Sequence, residues 1–279
     1  MALIQMSIVS RALFRTVPVT VILPADKRAP DGTLLPERPL KTLYLLHGLL
    51  GSHNDWINHT RVQRWAEARD LAVVMPSGDN SFYVDRPDSR NCYAEFIGNE
   101  LVEVTRRMFP LSRRREDTFI GGLSMGGFGA LHCGLKYHEN FSRIIPLSAA
   151  VHIFDFEIGA GIAGPEYYES LFGPLDTARN TERNPRVQIA QLAQEKKQNP
   201  ALQLPVIRMA CGESDGLLRA SRLYRDLLTD AGFEVDYEEA PGGHDWDFWD
   251  TQIKKTIDWL PLDAQAEGLS SGSVDTNKE

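Results

Sequence analysis

Cysteine is scarce in this chain. Of 279 residues only Cys92, Cys133 and Cys211 carry thiols, an odd number set far apart. Neither a disulfide framework nor a zinc-ligand spacing can be drawn through them, which favours a reducing compartment and a cytoplasmic protein. No secretory leader is expected either: Gln5, Ser7 and Ser10 interrupt any apolar stretch, and Arg11 follows it instead of preceding it. No run approaches the roughly 20 apolar residues that a membrane-crossing helix needs, so no membrane partner is expected. Positive charge is the minority sign. A net charge of −8 argues against nucleic acid, and the one basic cluster, Arg113–Arg115, reads as solvated loop. Missing too are His-Glu-x-x-His, a P-loop and a G-x-G-x-x-G turn after the first strands, and His53 and His59 do not stand at the spacing of a helical ligand pair. No metal and no cofactor is expected.

What remains is ordinary globular composition, 42% apolar and 24% charged, enough for a large core. Residues 3–9 and 17–23 read as two strands paired antiparallel at a sheet edge, where Pro18 would be tolerated. Residues 24–40, with Pro24, Pro30, Pro36, Pro39 and the Asp31-Gly32 turn signal, form a loop. Beyond it, apolar runs without alternation at 41–46, 71–75, 118–121, 143–147 and 205–210, with a further strand candidate at 233–239, predict strands covered on both faces. Helical patterns at 60–69, 92–109, 126–138, 217–231 and 247–260 separate them, with Gly232 as a stop. The alternation predicts one domain over 1–262, a doubly wound, mostly parallel α/β sheet. Residues 152–200 are too long for a plain crossover and are expected to form a cap inserted over the carboxyl edge of the sheet. The polar tail 263–279 is expected to be disordered.

The most specific signal is Gly122-Leu-Ser-Met-Gly126, a G-x-S-x-G pentapeptide after an apolar run and before a helix. A strand-to-helix turn this sharp strains the serine backbone and leaves no room for side chains two residues to either side. A serine hydroxyl is a weak nucleophile and needs a base oriented by an acid. On such elbows the chain order is nucleophile, acid, base, and Ser124, Asp215 and His244 supply it. Asp215 follows a strand candidate in Gly212-Glu-Ser-Asp-Gly216 and is preferred over its neighbour Glu213, while His244 is the only histidine beyond it. Asp245 and Asp247 suit the start of the last helix. An oxyanion hole needs two backbone donors, which are assigned to the N–H groups of Met125 and Leu49. Gly48 permits the turn before Leu49, and His47 is expected to steady that loop.

Together with Leu46-His-Gly-Leu-Leu-Gly-Ser-His-Asn-Asp-Trp56 and Val74-Met-Pro76, the elbow and the segment Pro241-Gly-Gly-His-Asp-Trp-Asp-Phe-Trp249 resemble the esterase D group of α/β-hydrolases, and within it the tributyrin-esterase branch of carboxylesterases. The Tyr-Asp-His-Ser-Tyr type of segment that S-formylglutathione hydrolases carry around their histidine is absent. The resemblance runs from about residue 3 to 260. It implies the α/β-hydrolase fold, hydrolysis of short-chain acyl esters with acetylated sugars and feruloyl esters as natural substrates, the triad Ser124–Asp215–His244, and oxyanion donors at Leu49 and Met125. Phe154, Phe156, Tyr167 and Tyr168 of the insertion, and Trp56 and Trp246 beside the motifs, are candidates to shape the substrate pocket, with ordinary packing as the competing role. A thioesterase or acyltransferase would use the same triad, and a non-catalytic binder on this fold would lack part of it. The partner expected is a small-molecule ester; a homo-oligomer is left open.

Overall fold

The computed structural model describes residues 1–155, 164–262 and 268–269 of the 279. Among the described residues lie ten strands: β1 Ala2–Ser10, β2 Arg15–Leu23, β3 Thr42–Leu46, β4 Ala72–Pro76, β5 Asp85–Arg86, β6 Asn91–Cys92, β7 Thr118–Leu123, β8 Arg143–Leu147, β9 Val206–Gly212 and β10 Val235–Ala240. β5 and β6 form a small ribbon, and the other eight build one sheet in the order β1-β2-β4-β3-β7-β8-β9-β10. From β4 through β10 every pairing is parallel; β2 runs antiparallel to both of its neighbours.

The burial of these strands follows from their composition. Every residue of β3, β4 and β7 is buried, as expected for strands with helices over both faces, whereas β1 alternates toward solvent until its last residues. Two apolar clusters, one on each face, fill the space between sheet and helices. The edge strand is β1, while β2, which carries Pro18, is interior. That proline is accommodated because the β2–β4 ladder begins only at Val19.

Tyr93–Met108 runs as one helical stretch with a π turn at Phe96–Glu100, and Met125–Lys136, Leu218–Asp230 and Trp246–Trp259 form the other expected helices. The helical pattern at 60–69 holds one short helix, Val62–Glu67, and another short helix outside it, Asp55–His59, comes just before. Asp245 caps the last helix by accepting the Phe248 N–H at 3.0 Å, and Gly232 ends the one before it with φ +88°.

The insertion is largely helical: a short turn at Val151–Phe154, then helices Pro165–Phe172, Leu175–Ala178 and Pro185–Gln198. The last of these docks on helix Met125–Lys136, where the Gln188 amide meets the buried His132 ring Nδ1 and main-chain carbonyl, both at 3.2 Å. Residues 156–163, including Phe156, and most of the tail lie outside the described residues. Within the tail, the Leu269 N–H donates to the Arg28 carbonyl at 2.7 Å. Among the described residues no helix is long and apolar enough to cross a membrane.

Candidate active site

Three loops at the carboxyl ends of β7, β9 and β10 converge. The first is the turn between β7 and its helix. Ser124 has φ +54° and ψ −117°, a conformation reserved for strained positions. The turn closes only because its flanks are bare: a Cβ on Gly122 would stand 2.4 Å from the Gly126 carbonyl oxygen, and one on Gly126 would stand 2.4 Å from that of Leu46. Neighbouring main chain anchors the elbow. The Ser124 N–H donates to the Leu147 carbonyl at 3.0 Å, and the Ala150 N–H donates to the Ser124 carbonyl at the same distance.

The second and third loops are held together by backbone. The Ser214 N–H donates to the Gly242 carbonyl at 3.0 Å and the Glu213 N–H to that of Ala240 at 2.9 Å. Gly212 is required where the loops touch, since a Cβ there would lie 2.5 Å from the Gly242 oxygen. This clasp brings Asp215 and His244, 29 residues apart, to 2.9 Å between Oδ2 and Nδ1. On the other side of the ring, His244 Nε2 stands 2.9 Å from Ser124 Oγ. Hydroxyl, imidazole and carboxylate thus form one chain of hydrogen bonds, with Nδ1–H facing the carboxylate and Nε2 free to accept from the hydroxyl. Glu213 is exposed and takes no part.

Burial alone would raise the pKa of Asp215, but hydrogen bonds from His244 and the Leu217 N–H outweigh it and hold the carboxyl below its usual range. The Leu217 N–H reaches Oδ1 at 2.8 Å, so both carboxylate oxygens are engaged. The histidine side chain remains 38% exposed, which leaves the hydroxyl–imidazole end open to an incoming molecule.

The loop after β3 passes directly beneath the nucleophile, and a Cβ on Gly48 would lie 3.6 Å from Ser124 Cβ. His47 is buried with both ring nitrogens engaged: Nδ1 donates to the Gly48 carbonyl at 2.7 Å, and Nε2 accepts the Gly78 N–H at 2.8 Å. Burial lowers its pKa, so it is neutral and structural. Leu49 comes next in this loop, and Met125 opens the helix after Ser124.

The pocket candidates separate. Trp56 is 1% exposed and donates Nε1 to the Leu46 carbonyl at 3.0 Å, so it belongs to the core and not to a substrate surface. Trp246 stacks on His59 with ring centroids 4.6 Å apart and meets Trp56 and Trp249 edge-on. Its ring is half-buried in this aromatic cluster, and of the two tryptophans it is Trp56 that loses the substrate-binding assignment. Phe154 is buried against Phe172 and borders a groove of about 710 Å³ with Asp155, Asn184 and Arg186 that contains no residue of the Ser–His–Asp chain. Tyr168 is buried beside Phe82 and His152, whereas half-buried Tyr167 donates its hydroxyl to the Asn80 carbonyl at 2.6 Å.

Two residues beside the triad have no role assigned from the sequence. Trp249 lies edge-on to the His244 ring at 4.9 Å and donates Nε1 to Ser148 Oγ at 3.2 Å. His152 follows β8 on its short turn; burial first, and the nearby His244 second, lower its pKa. Among the described residues no group of His, Cys, Asp and Glu is arranged to hold a metal ion.

A serine on a strand–turn–helix elbow, hydrogen-bonded through histidine to aspartate at the carboxyl edge of a doubly wound sheet, has the form of the α/β-hydrolase class. A model of the family described as "Putative esterase" matches residues 10–260, and the chain belongs to that family of carboxylic ester hydrolases. It is 41% identical over 271 residues to an acetyl esterase of Caldicellulosiruptor saccharolyticus, a match that covers 93% of this chain and 98% of that protein. Two solved structures from Staphylococcus aureus are 31% identical and cover 93% of this chain and 98% of theirs. The fluorophosphonate-binding serine hydrolase FphF has a TM-score of 0.80, and the S-formylglutathione hydrolase FrmB one of 0.78. A ferulic acid esterase, 20% identical with a TM-score of 0.75, covers 93% of this chain and 97% of its own and shares the fold.

Proposed function

We propose that the chain is a serine esterase for short-chain acyl esters, acetyl esters first among them, working through Ser124, His244 and Asp215. The observation that carries this reading is the unbroken chain of two 2.9 Å hydrogen bonds that begins at a strained elbow serine. His244 Nε2 takes the proton of Ser124 as Oγ attacks the ester carbonyl, and Asp215 holds the ring in the tautomer that allows it. The N–H groups of Leu49 and Met125 receive the developing oxyanion. The imidazolium then protonates the leaving alcohol, and water, deprotonated by the same nitrogen, releases the acid and restores the serine. The acetyl esterase relative supports a small acyl group. An acetylated sugar is the natural substrate class we favour, with feruloyl esters as the larger alternative.

The test is hydrolysis of p-nitrophenyl esters from acetate to octanoate by wild type and Ser124→Ala. Activity greatest on acetate that disappears in the folded variant is expected. Retained turnover in Ser124→Ala would remove the serine mechanism, and a preference for octanoate would remove the short-chain assignment. The similarity to an S-formylglutathione hydrolase gives thioester cleavage a specific claim as a second reading. Comparing kcat/KM for an acetyl thioester and for the oxyester of matched leaving-group pKa decides between them.

A further inference from the structure

Among the described residues β2 is the only strand that β1 joins, so the outer edge of β1 ends the sheet. Such an edge presents a row of main-chain donors and acceptors, and proteins blunt it with charge, proline, a bulge or brevity. β1 uses none of these. Its sequence, Ala-Leu-Ile-Gln-Met-Ser-Ile-Val-Ser, holds no charge and no proline. Its ladder with β2 runs unbroken from Ala2 against Leu23 to Ser10 against Arg15, and the strand reaches about 30 Å, longer than most. Ile4, Met6 and Ile8 turn inward to the core, whereas Leu3, Gln5, Ser7 and Val9 face solvent, with Leu3 43% and Val9 80% exposed.

The strand is also complementary to itself. In an antiparallel pair each residue turns its N–H and C=O to the same side, so a strand that pairs with its own copy does so about an axis through one residue. With the axis at Met6, Ile4 meets Ile8 of the second copy, Leu3 meets Val9 and Gln5 meets Ser7, apolar against apolar and polar against polar on both faces. An axis at Gln5 or at Ser7 would instead oppose Leu3 to Ser7 or Val9 to Gln5 and lose the match. Leu3 and Val9 then cover each other's exposed surface with Cβ atoms about 5 Å apart. One step beyond the strand the same register brings exposed Arg11 alongside Met1 of the second copy, where the half-exposed Asp26 carboxylate stands 2.9 Å from the Met1 nitrogen. The ends of the pairing thus carry opposite charges.

We infer that β1 is a dimerisation edge, through which two copies of this chain join antiparallel about a two-fold axis at Met6 and continue one sheet into the other. The pairing supplies roughly eight main-chain hydrogen bonds, close to the number in an ordinary interface. It is isologous, so it closes at two chains and leaves neither β1 edge open. The opposite edge of the sheet needs no such cover, because β10 carries Asp236, Glu238 and Glu239. The loops that hold Ser124, Asp215 and His244 follow β7, β9 and β10, in the other half of the sheet, so the dimer leaves them accessible. The inference does not depend on the esterase reading.

The test is the mass of the full chain in solution, measured by sedimentation equilibrium at micromolar concentration, for wild type and two variants at solvent-facing positions. Gln5→Lys/Ser7→Lys sets like charges against one another across the axis and is expected to halve the wild-type mass. Gln5→Lys/Ser7→Glu sets opposite charges there and is expected to restore it, which a merely weakened strand would not do. Circular dichroism reports that each variant is folded. Should a lysine variant fail to fold, Met6→Cys decides: that position lies on the axis, where opposed Cα atoms stand about 5 Å apart, within disulfide range. Mild oxidation is then expected to give a covalent dimer linked through position 6. A monomeric wild type overturns the inference, as does wild-type mass retained in Gln5→Lys/Ser7→Lys. A folded Gln5→Lys/Ser7→Glu that stays at half mass, or Met6→Cys without a cross-link, overturns the register and with it the proposed edge.

Discussion

The hydroxyl of Tyr83 donates to the main-chain carbonyl of His47 at 3.0 Å, tying the segment after β4 to the loop that carries Leu49. Around this bond lie the Gly78 N–H on His47 Nε2 and the Leu50 N–H on Asn80 Oδ1, both at 2.8 Å. Phe82 and Tyr83 hold positive φ angles of 51° and 55° to make these contacts. The loop to which we assign the Leu49 oxyanion donor is thereby pinned along its length.

Tyr83→Phe removes the buried donor and leaves the His47 carbonyl unpaired, at a cost of about 1–3 kcal/mol in stability. The expected kinetic effect is a fall of several-fold in kcat with little change in KM, because an oxyanion donor acts in the transition state and not on bound substrate. Thermal unfolding and steady-state kinetics on the same preparation check both halves. A rise in KM at constant kcat would place the loop in ground-state binding.

Trp56 supports the site from the core. Trp56→Phe loses both the hydrogen bond to Leu46 and packing volume, and is expected to cost about 2 kcal/mol. KM of the folded variant should match wild type, since the ring never reaches solvent. Denaturant unfolding and an ester titration read the two quantities, and a raised KM in fully folded protein would return Trp56 to the pocket.

His132 gives the protein an acid-sensitive core. Burial depresses its pKa from 6.5 to about 4. A histidine kept neutral in the fold binds its proton more readily when unfolded, so stability is complete above the unfolded value and declines as pH falls from about 6.5 toward 4. The loss approaches roughly 3 kcal/mol at the low end. His132→Gln should flatten this part of the stability–pH curve; parallel curves for variant and wild type from urea unfolding would contradict it.

Asp215 behaves in the opposite sense. Its carboxyl is held below the usual range, so its contribution to stability is fully present above the unfolded value near 4 and is lost only as pH falls through the lower folded value. It stays ionised throughout the working range. No ionisation of Asp215 is therefore expected in the pH profile of kcat/KM above pH 5, and a limb there that disappears in Asp215→Asn would mean that the carboxylate titrates in the working range.

Much of this was legible in the chain because its determinants are local. The elbow demands glycine at 122 and 126, and the carbonyl oxygens that a Cβ would strike explain why. Buried parallel strands announce themselves as apolar runs, and the order serine, aspartate, histidine follows from the order of the strand ends. Pro18 sits in the second strand and not in the edge strand itself, because a ladder that begins one residue later also tolerates a missing donor, a detail that composition does not encode. Trp56 stands next to a motif yet belongs to the core, since adjacency along the chain does not settle where a side chain points. Ser148 and Trp249 are 101 residues apart and meet only in the folded molecule, so neither an isolated serine nor the last residue of a motif reveals their contact.

The central claim is that Ser124 is the nucleophile, and the most direct measurement is labelling with an alkyl fluorophosphonate followed by peptide mapping. The account predicts one label per chain, on the peptide containing Ser124, with activity lost in proportion and no labelling after Ser124→Ala or His244→Ala. Label on another residue, or esterase activity that survives full labelling of Ser124, would contradict it.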